Sequence, residues 1–386
     1  MNPAKKNAKL PACVVLLAGG RGTRFWPRSR TRTPKQLLNI TGDESMLRET
    51  VARLVPVFAE RNCWVVTNGE QASAVRRELP RVPAAQVLAE PVGRNTAAAI
   101  ALAAIHLQQE HGDAVMAVLS SDAHISDVAK YRRLLRVALR RAAAENELVV
   151  FGIPPTRPET GYGYIERGAR RSARGPKVFS VRRFTEKPEE KVARRYVTSG
   201  RYFWNAGMFF WRVSTFLDLL GRFLPETHAA LAELAKTIGT PRYPSALKAI
   251  YPKLRNISVD YAIVEPASQL AKKTIAHKKR SSAESSVEPS VSVIRAEIGW
   301  SDIGSWDAVH ALLATPGANF SAGPACTLDA TGNFFWSPKK FVAALGVNDM
   351  VLVETPDAIL LCPRKRSQDV GQIVKWLEQQ KKRSLL

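Results

Sequence analysis

The first half of the chain alternates short apolar runs with longer amphipathic stretches. The apolar runs read CVVLLA, CWVVTN, AVMAVLSSD and ELVVFGI, at residues 13–18, 63–68, 114–122 and 147–153. Continuous apolar runs of this length are typical of strands that are covered on both faces. The pattern therefore predicts a mostly parallel sheet.

Between these runs lie stretches with apolar residues at a spacing of three to four, as in amphipathic helices. They read SMLRETVARLVPVF, NTAAAIALAAIHLQQE and YRRLLRVALRRAAAE, at residues 45–58, 95–110 and 131–145. Strands that alternate with helices indicate βαβ units and an α/β, Rossmann-like domain. In open sheets of this kind ligands bind beyond the carboxyl ends of the strands.

The second half of the chain differs from the first in composition and in the spacing of its apolar runs. Residues 272–292 are rich in lysine and serine and nearly free of apolar residues, which predicts a solvated linker or insertion. Short runs separated by turn residues follow Pro316 and predict a small β-rich unit at 316–366. Ser367, as a possible N-cap, begins a predicted terminal helix at 367–386. The preceding residues 1–315 form one predicted domain.

The 386 residues carry 57 Lys plus Arg against 34 Asp plus Glu, a net charge of +23. Such an excess favours polyanions, anionic membranes or phosphorylated small molecules. Basic residues scattered over many helices, without a recognisable nucleic-acid module, argue against a specific nucleic-acid partner. No run of 18 apolar residues occurs, so we expect no membrane partner either.

The spacing of the cysteine and histidine residues limits the kinds of metal site and disulfide that the chain can form. No CxxC pair and no HExxH occur, which disfavours zinc sites and a disulfide framework and favours a reducing cytoplasm. The lysines before LPACVVLLAGG resemble a secretory signal, but two glycines after an apolar run favour a first strand that leads into a phosphate-binding turn. The cysteines are Cys13, Cys63, Cys326 and Cys362.

The run LAGGRGTRFWPRSRTRTPKQ follows the first predicted strand. Its glycines let backbone N–H groups close around an anion, and arginine offers a fork that suits phosphate oxygens. The spacing is neither a Walker A loop nor GxGxxG, because Phe25 takes the place of the third glycine. A flexible turn is the alternative, which the cations and Thr23 disfavour. The residues expected to bind phosphate are Gly19, Gly20, Gly22, Thr23, Arg24 and Lys35.

Further motifs share one resemblance. They are EPVGRNTAAAIALAA at 90–104, GYGYIE at 161–166, FTEKP at 184–188, WNAGMFFWR at 204–212, SVDYAIVE at 258–265 and GWSDIGSWDAV at 299–309. With GGRGTRFWPRSRTRTPKQ, they resemble the sugar-nucleotide pyrophosphorylases, specifically the mannose-1-phosphate guanylyltransferases. The resemblance implies that GTP and mannose 1-phosphate give GDP-mannose and pyrophosphate with Mg²⁺. No cupin-type isomerase domain follows here, which corresponds to the short, transferase-only form.

The resemblance also implies roles for single residues. Arg24 and Lys35 are the expected catalytic cations, and Asp122 and Asp302 the expected Mg²⁺ ligands. An Asp after a strand is also a common helix N-cap, but the flanking motifs favour the metal. The base-reading residues implied are Glu90, Asn95 and Thr96. Those implied for the sugar phosphate are Gly163, Glu186, Lys187 and Asn205.

This chain departs from the family pattern at one motif. Relatives often carry Pro-Ala-Asp-His where this chain reads SSDAH at 120–124, so His124 receives no role. The C-terminal β-rich unit resembles a small left-handed β-helix of the family, which implies a homodimer. A transferase for another base or sugar, such as UTP or dTTP with glucose 1-phosphate, and a non-catalytic nucleotide- or nucleic-acid-binding relative stay as alternatives.

Overall fold

The computed structural model describes residues 10–144, 147–270 and 290–386. Most of the predicted linker at 272–292, and the last residue of the predicted helix at 131–145, lie outside these ranges. Residues 290–292 are described, and there the prediction is wrong because they begin a central strand. The alternation of serine and valine in Ser290–Arg295 fits a strand, although the polar run before it obscures the pattern.

The strands follow the predicted rhythm, and those before residue 316 are β1 (Ala12–Leu17), β2 (Cys63–Asn68), β3 (Val87–Glu90), β4 (Val115–Ser120), β5 (His124–Ile125), β6 (Glu147–Ile153), β7 (Tyr164–Arg170), β8 (Val178–Thr185), β9 (Tyr202–Arg212), β10 (Ser290–Arg295) and β11 (Trp300–Ser301). The later strands are β12 (Phe320–Ser321), β13 (Ala325–Leu328), β14 (Phe334–Trp336), β15 (Val342–Leu345), β16 (Met350–Thr355) and β17 (Ala358–Pro363). All four predicted strands are therefore confirmed.

The helices are α1 (Met46–Leu54), α2 (Ala72–Glu78), α3 (Asn95–His111), α4 (Val128–Ala144), α5 (Glu190–Ser199), α6 (Val213–Phe223), α7 (Pro225–Ala235), α8 (Tyr243–Ile250), α9 (Trp306–Leu313) and α10 (Gly371–Gln379). A π-helical turn, Asp260–Val264, continues into helical residues 265–270. Among the described residues, no helix is long and apolar enough to cross a bilayer.

Within the described residues the main sheet has nine strands in the order β3-β2-β1-β4-β9-β6-β10-β8-β7. β1 pairs in parallel with β2 and β4, β2 with β3, and β6 with β10. Only β8 and β9 run against the other strands of this sheet. The mostly parallel, Rossmann-like sheet is confirmed.

Helices cover both faces of the sheet, as the continuous apolar strands require. One face packs against α3, α6 and α7, and the other packs against α1, α2 and α4. Each face therefore excludes water from its strands, so polar side chains are left for the strand ends.

β9 joins the parallel half of the sheet to a curled second half. Its first residues pair with β7 and its later residues with β6 and β4. β7 also pairs with β8, and the pairing of β6 with β9 has a register shift between Val150 and Gly152. These pairings bring Asn205 of β9 into hydrogen bonds with Gly163, just before β7, and with Asp260.

The C-terminal unit, residues 320–386, begins with a coil of short parallel strands. β12, β14 and β16 stack through Phe320, Phe334 and Val351, while β13 and β15 form a second stack. β17 closes the first stack in antiparallel orientation. This arrangement confirms the β-helix-like unit expected from the sequence.

The terminal helix is shorter than the segment predicted for it. α10 begins at Gly371, and Ser367 lies in the preceding 3₁₀ turn Arg364–Val370 instead of capping the helix. The Ser367 hydroxyl accepts a hydrogen bond from the N–H of Asp307 at 3.2 Å, so it caps α9. Ser367 therefore forms a hydrogen bond with a distant segment instead of the local capping bond predicted from the sequence.

Candidate active site

The glycine-rich loop leaves the carboxyl end of β1. Gly22 has a φ of 62°, and a Cβ there would overlap with Lys35, so only glycine fits this position. Within the part of the chain that is described, the N–H groups of Gly19, Gly20 and Gly22 have no protein acceptor. Gly19 and Gly20 are exposed. The loop therefore presents free donors of the kind that bind phosphate oxygens.

Lys35 lies under this loop at the start of the 3₁₀ turn Lys35–Leu37, with only 6% of its surface exposed. Its ammonium donates to Asp122 Oδ2 at 3.0 Å, to the Asp122 carbonyl at 3.1 Å and to the Asp302 carbonyl at 2.6 Å. Three acceptors match the three donors of an ammonium group. Lys35 thus ties together the two segments that carry the expected metal ligands.

A short strand pair brings these two segments together. β5 and β11 align His124 with Ser301 and Ile125 with Trp300, which brings Asp302 close to Asp122 despite the distance along the chain. The pairing uses His124 for its backbone register. Sequence patterns offered no sign of this pairing, because each strand is only two residues long.

The two carboxylates are anchored differently. The Tyr162 hydroxyl donates to Asp302 Oδ1 at 2.6 Å, while Lys35 holds Asp122. Arg24 Nη1 and Asp302 Oδ2 both lie within 3.4 Å of the point where a Cβ on Gly304 would stand. Arg24 therefore borders the same space as the Asp302 carboxylate.

This donor set fits a magnesium ion. Each carboxylate keeps one oxygen for which the described residues supply no hydrogen bond, Oδ1 of Asp122 and Oδ2 of Asp302. Mg²⁺ is usually held by one or two carboxylates, with substrate phosphates and water completing the shell. No group of three or more histidine, cysteine or acidic side chains suited to a metal occurs among the described residues.

The residues expected to read the base lie at the end of β3 and the start of α3. The Tyr251 hydroxyl donates to Glu90 Oε1 at 2.6 Å, and burial raises the pKa of Glu90. Asn95 is exposed and has a φ of 63°. The Thr96 hydroxyl accepts from the N–H of Val259 at 2.9 Å. Asn95 is thus the exposed side chain of the predicted trio.

The expected sugar residues meet in the curled half of the sheet. Asn205 Nδ2 donates to Asp260 Oδ1 at 2.7 Å, and the Gly163 carbonyl accepts from the Asn205 N–H at 2.8 Å. A Cβ on Gly163 would collide with Glu186 Oε2. That oxygen is buried and has no hydrogen-bond partner among the described residues. It is a vacant acceptor beside a glycine.

Lys187 is the most loosely held member of the sugar group. Its side chain is 60% exposed, and its ammonium lies 3.8 Å from Glu186 Oε1. The structure thus brings Gly163, Glu186 and Asn205 together and leaves Lys187 at the rim.

Burial sets the protonation of this group. Desolvation, followed by the nearby charge of Asp260, raises the pKa of Glu186 to about 7. Burial also raises the pKa of Asp260 to about 6, although the hydrogen bond from Asn205 works in the opposite direction. Two neighbouring carboxylates with raised pKa values are characteristic of functional sites.

Two residues of the site were missed. Asp260 lies in the SVDYAIVE motif and Tyr162 in GYGYIE, so both motifs were recognised without these roles. Tyr162 is held edge-on between Trp204 and Trp300, with ring centroids 5.3 and 5.5 Å away. An acidic residue inside an otherwise apolar stretch was a usable signal for Asp260, but nothing local distinguished Tyr162.

A cavity of about 980 Å³ lies beside Asp302. Arg24, Tyr162 and Asp302 line it, together with Gln368 from the C-terminal unit. The site is therefore built from both parts of the chain.

A sheet edge with a glycine-rich phosphate loop, two carboxylates and a lysine defines a nucleotidyl-transferring protein. Residues 13–315 match the family model Nucleotidyl transferase, and residues 323–377 match the MannoseP isomerase/GMP-like beta-helix domain. The chain belongs to the nucleotidyl transferase family.

Individual relatives are more specific. A mannose-1-phosphate guanylyltransferase from Escherichia coli is 36% identical over 369 residues, covering 95% of this chain and 74% of that protein. Xanthan biosynthesis protein XanB from Xanthomonas campestris pv. campestris (strain B100) is 36% identical over 372 residues, covering 94% of this chain and 73% of that protein.

Among solved structures, a mannose-1-phosphate geranyltransferase from Thermus thermophilus superposes with a TM-score of 0.80 at 30% identity, covering 96% of this chain and 100% of that one. A mannose-6-phosphate isomerase from Helicobacter pylori, at 22% identity and a TM-score of 0.55, covers 76% and 100% and shares the fold.

Proposed function

We propose that this protein transfers the guanylyl group of GTP to α-D-mannose 1-phosphate, giving GDP-mannose and pyrophosphate. Family membership supports nucleotidyl transfer, and the names of the relatives support this base and sugar. One observation carries the proposal. Lys35 joins the segments that carry Asp122 and Asp302, through the Asp122 carboxylate and the Asp302 backbone carbonyl, beside a loop with free N–H donors.

The reaction is an in-line displacement. A phosphate oxygen of mannose 1-phosphate attacks the α-phosphorus of GTP and forms the new P–O bond. The bond from the α-phosphorus to the oxygen shared with the β-phosphorus breaks, and pyrophosphate leaves with that electron pair. Two anions must meet, so positioning and charge neutralisation supply most of the catalysis.

The nucleotide side uses the loop after β1. The N–H groups of Gly19, Gly20 and Gly22, with the Thr23 hydroxyl, bind the phosphates of GTP. Arg24 adds a guanidinium beside the leaving pyrophosphate. Lys35 holds the segments that carry Asp122 and Asp302 in place, and its positive charge stabilises the negative charge that develops on transfer. Glu90, Asn95 and Thr96 border the base.

Asp122 and Asp302 are suited to hold Mg²⁺ through their free oxygens. A bound Mg²⁺ would supply positive charge that offsets the charge of the phosphate oxygens. Tyr162 keeps the Asp302 carboxylate oriented, and Lys35 does the same for Asp122.

The sugar side uses acceptors for hydroxyl groups. Glu186 Oε2 is vacant and buried, so a sugar hydroxyl that donates to it satisfies a costly unpaired oxygen. Asp260 orients Asn205, and Gly163 leaves room for the ring. Lys187, exposed at the rim, is placed to meet the phosphate of the sugar.

The proposal is tested by measuring pyrophosphate release from GTP, ATP, UTP and dTTP, each combined with mannose 1-phosphate or glucose 1-phosphate. We expect the highest kcat/KM for GTP with mannose 1-phosphate. Preference for another pair would replace the assigned base or sugar, and no release from any pair would contradict nucleotidyl transfer.

We further propose that the protein acts as a homodimer in the cytoplasm. Leu328, Phe341 and Leu345 on or beside β13 and β15 are exposed by 58, 65 and 71%, an apolar surface suited to a second copy. All four cysteines are free, which suits a reducing compartment. Light scattering should give twice the chain mass, and Leu345→Asp should give the monomer.

A further inference from the structure

The glycine-rich loop and its continuation, residues 19–30, carry four arginines. Each of them contacts the C-terminal unit. Arg21 pairs with Glu378 at 2.7 Å, and Arg30 pairs with Asp357 at 2.8 Å. The Arg28 guanidinium lies over the Trp336 ring at 4.0 Å, and Arg24 Nη1 donates to Gln368 Oε1 at 2.6 Å.

The apolar residues between these arginines dock in the same direction. Phe25 and Trp26 share one core cluster with Phe334, Val370 and Val374 of the C-terminal unit. Trp26 Nε1 also donates to the carbonyl of Leu385 at 2.9 Å. The buried residues of the loop thus pack against the C-terminal unit, whereas Gly19 and Gly20 remain exposed.

Arg24 differs from Arg21 and Arg30 in the partner it has. Arg21 and Arg30 face carboxylates, which compensate their charge, whereas Arg24 is held by the neutral amide of Gln368. An amide oxygen orients a guanidinium without neutralising it. Arg28 also has neutral partners, Trp336 and Asn39, but of the four arginines of the loop Arg24 is the one that lines the cavity beside Asp302.

We propose that Gln368 is a positioning residue that holds Arg24 toward the phosphates of the nucleotide while leaving its positive charge available. The C-terminal unit then contributes to the chemistry as well as to assembly. This inference rests on the proposed function, since it takes Arg24 as a phosphate-binding group.

The test compares Gln368→Ala, Gln368→Glu and the control Gln372→Ala, an exposed glutamine on α10. Gln368→Ala should raise the KM for GTP about 3- to 10-fold, the scale of the net contribution of one ordinary hydrogen bond, and leave the KM for mannose 1-phosphate unchanged. Gln368→Glu should cost more, because its carboxylate neutralises Arg24. Gln372→Ala should behave as wild type.

A double-mutant cycle separates positioning from a general structural role. If Gln368 acts through Arg24, Arg24→Ala and Arg24→Ala/Gln368→Ala should be equally impaired. Additive losses, or Gln368→Ala indistinguishable from Gln372→Ala, would overturn the inference. Thermal unfolding of all variants checks that each one is folded.

Binding of inorganic pyrophosphate, measured by calorimetry, keeps this inference distinct from the proposed function. Weaker binding to Gln368→Ala than to Gln372→Ala supports the positioning role even if no nucleotide and sugar pair turns over. Equal binding of pyrophosphate by the two variants contradicts it even if the protein is a fully active guanylyltransferase.

Discussion

The phosphate side and the sugar side of the candidate site treat their carboxylates in different ways. On the phosphate side, Asp122 is paired with Lys35 at 3.0 Å and Asp302 accepts from Tyr162 at 2.6 Å. On the sugar side, Glu186 and Asp260 lie near each other, and Lys187, 3.8 Å from Glu186, is mostly exposed.

The difference agrees with what each side is proposed to bind. Phosphates bring negative charge, so carboxylates beside them need cations already in place. Sugar hydroxyls are neutral donors, and an uncompensated carboxylate oxygen accepts from them well. Burial, which the exposed Lys187 offsets only in part, raises the pKa of Glu186 to about 7 and that of Asp260 to about 6.

The largest expected effect concerns the phosphate side. Asp122→Asn or Asp302→Asn removes a proposed magnesium ligand, and we expect at least about a thousandfold loss of kcat, the scale of lost charge stabilisation in phosphoryl transfer. Steady-state kinetics with GTP and mannose 1-phosphate measures this loss.

The matched control for these variants is Asp127→Asn. Asp127 is exposed, and its carboxylate accepts from the N–H of Lys130 at 2.9 Å, a role that asparagine also fills. Circular dichroism should show the same folded content in all three variants. Full activity of either variant would contradict the assignment of the carboxylate that it removes.

A smaller effect is expected on the sugar side. Asp260→Asn removes the charge next to Asn205, and we expect the KM for mannose 1-phosphate to rise about tenfold with the KM for GTP unchanged. Asp218→Asn, at an exposed position on α6, is the control. An equal rise in both KM values would mean that the two sides are not separate.

The smallest effect is on stability. The pKa of Glu186 is raised from 4.5 to about 7 in the folded protein. Its contribution to the free energy of unfolding is therefore complete below about pH 4.5 and is lost as the pH rises through 7. Glu186→Gln should therefore flatten the decline of the unfolding free energy over this range, by roughly 1 kcal/mol after solvent screening.

Urea titrations from pH 5 to pH 8 measure this decline. Glu189→Gln, at an exposed position three residues further on, serves as the control. A pH slope that stays the same in Glu186→Gln would show that this carboxylate is not destabilised by its surroundings.

Elements whose pattern is local could be predicted from the sequence. β1, β2, β4 and β6 are continuous apolar runs, and α3 and α4 follow the helical spacing of apolar residues. β10 was missed because it follows a polar run, and it is stabilised by its neighbours β6 and β8. The two-residue strands β5 and β11 carry too little pattern to be recognised.

The same division holds for the site. Gly22 could be recognised, because a glycine next to other glycines and arginines after a strand indicates a phosphate loop. Tyr162 and Gln368 carried no such signal, since a tyrosine before a strand and a glutamine before a helix are ordinary. Their roles depend on Asp302 and Arg24, which are distant in sequence.

The amino-acid sequence by itself determined the alternation of strands and helices, the phosphate loop and the resemblance to a family, because each is written in consecutive residues. Only the tertiary structure decided that Lys35 joins Asp122 to Asp302, that Asp260 lies beside Glu186, and that the arginines of the loop rest on the C-terminal unit. Such contacts depend on how the strands pair and on how the C-terminal unit packs against the loop. The burial of a side chain and the charges around it are set only in the folded chain.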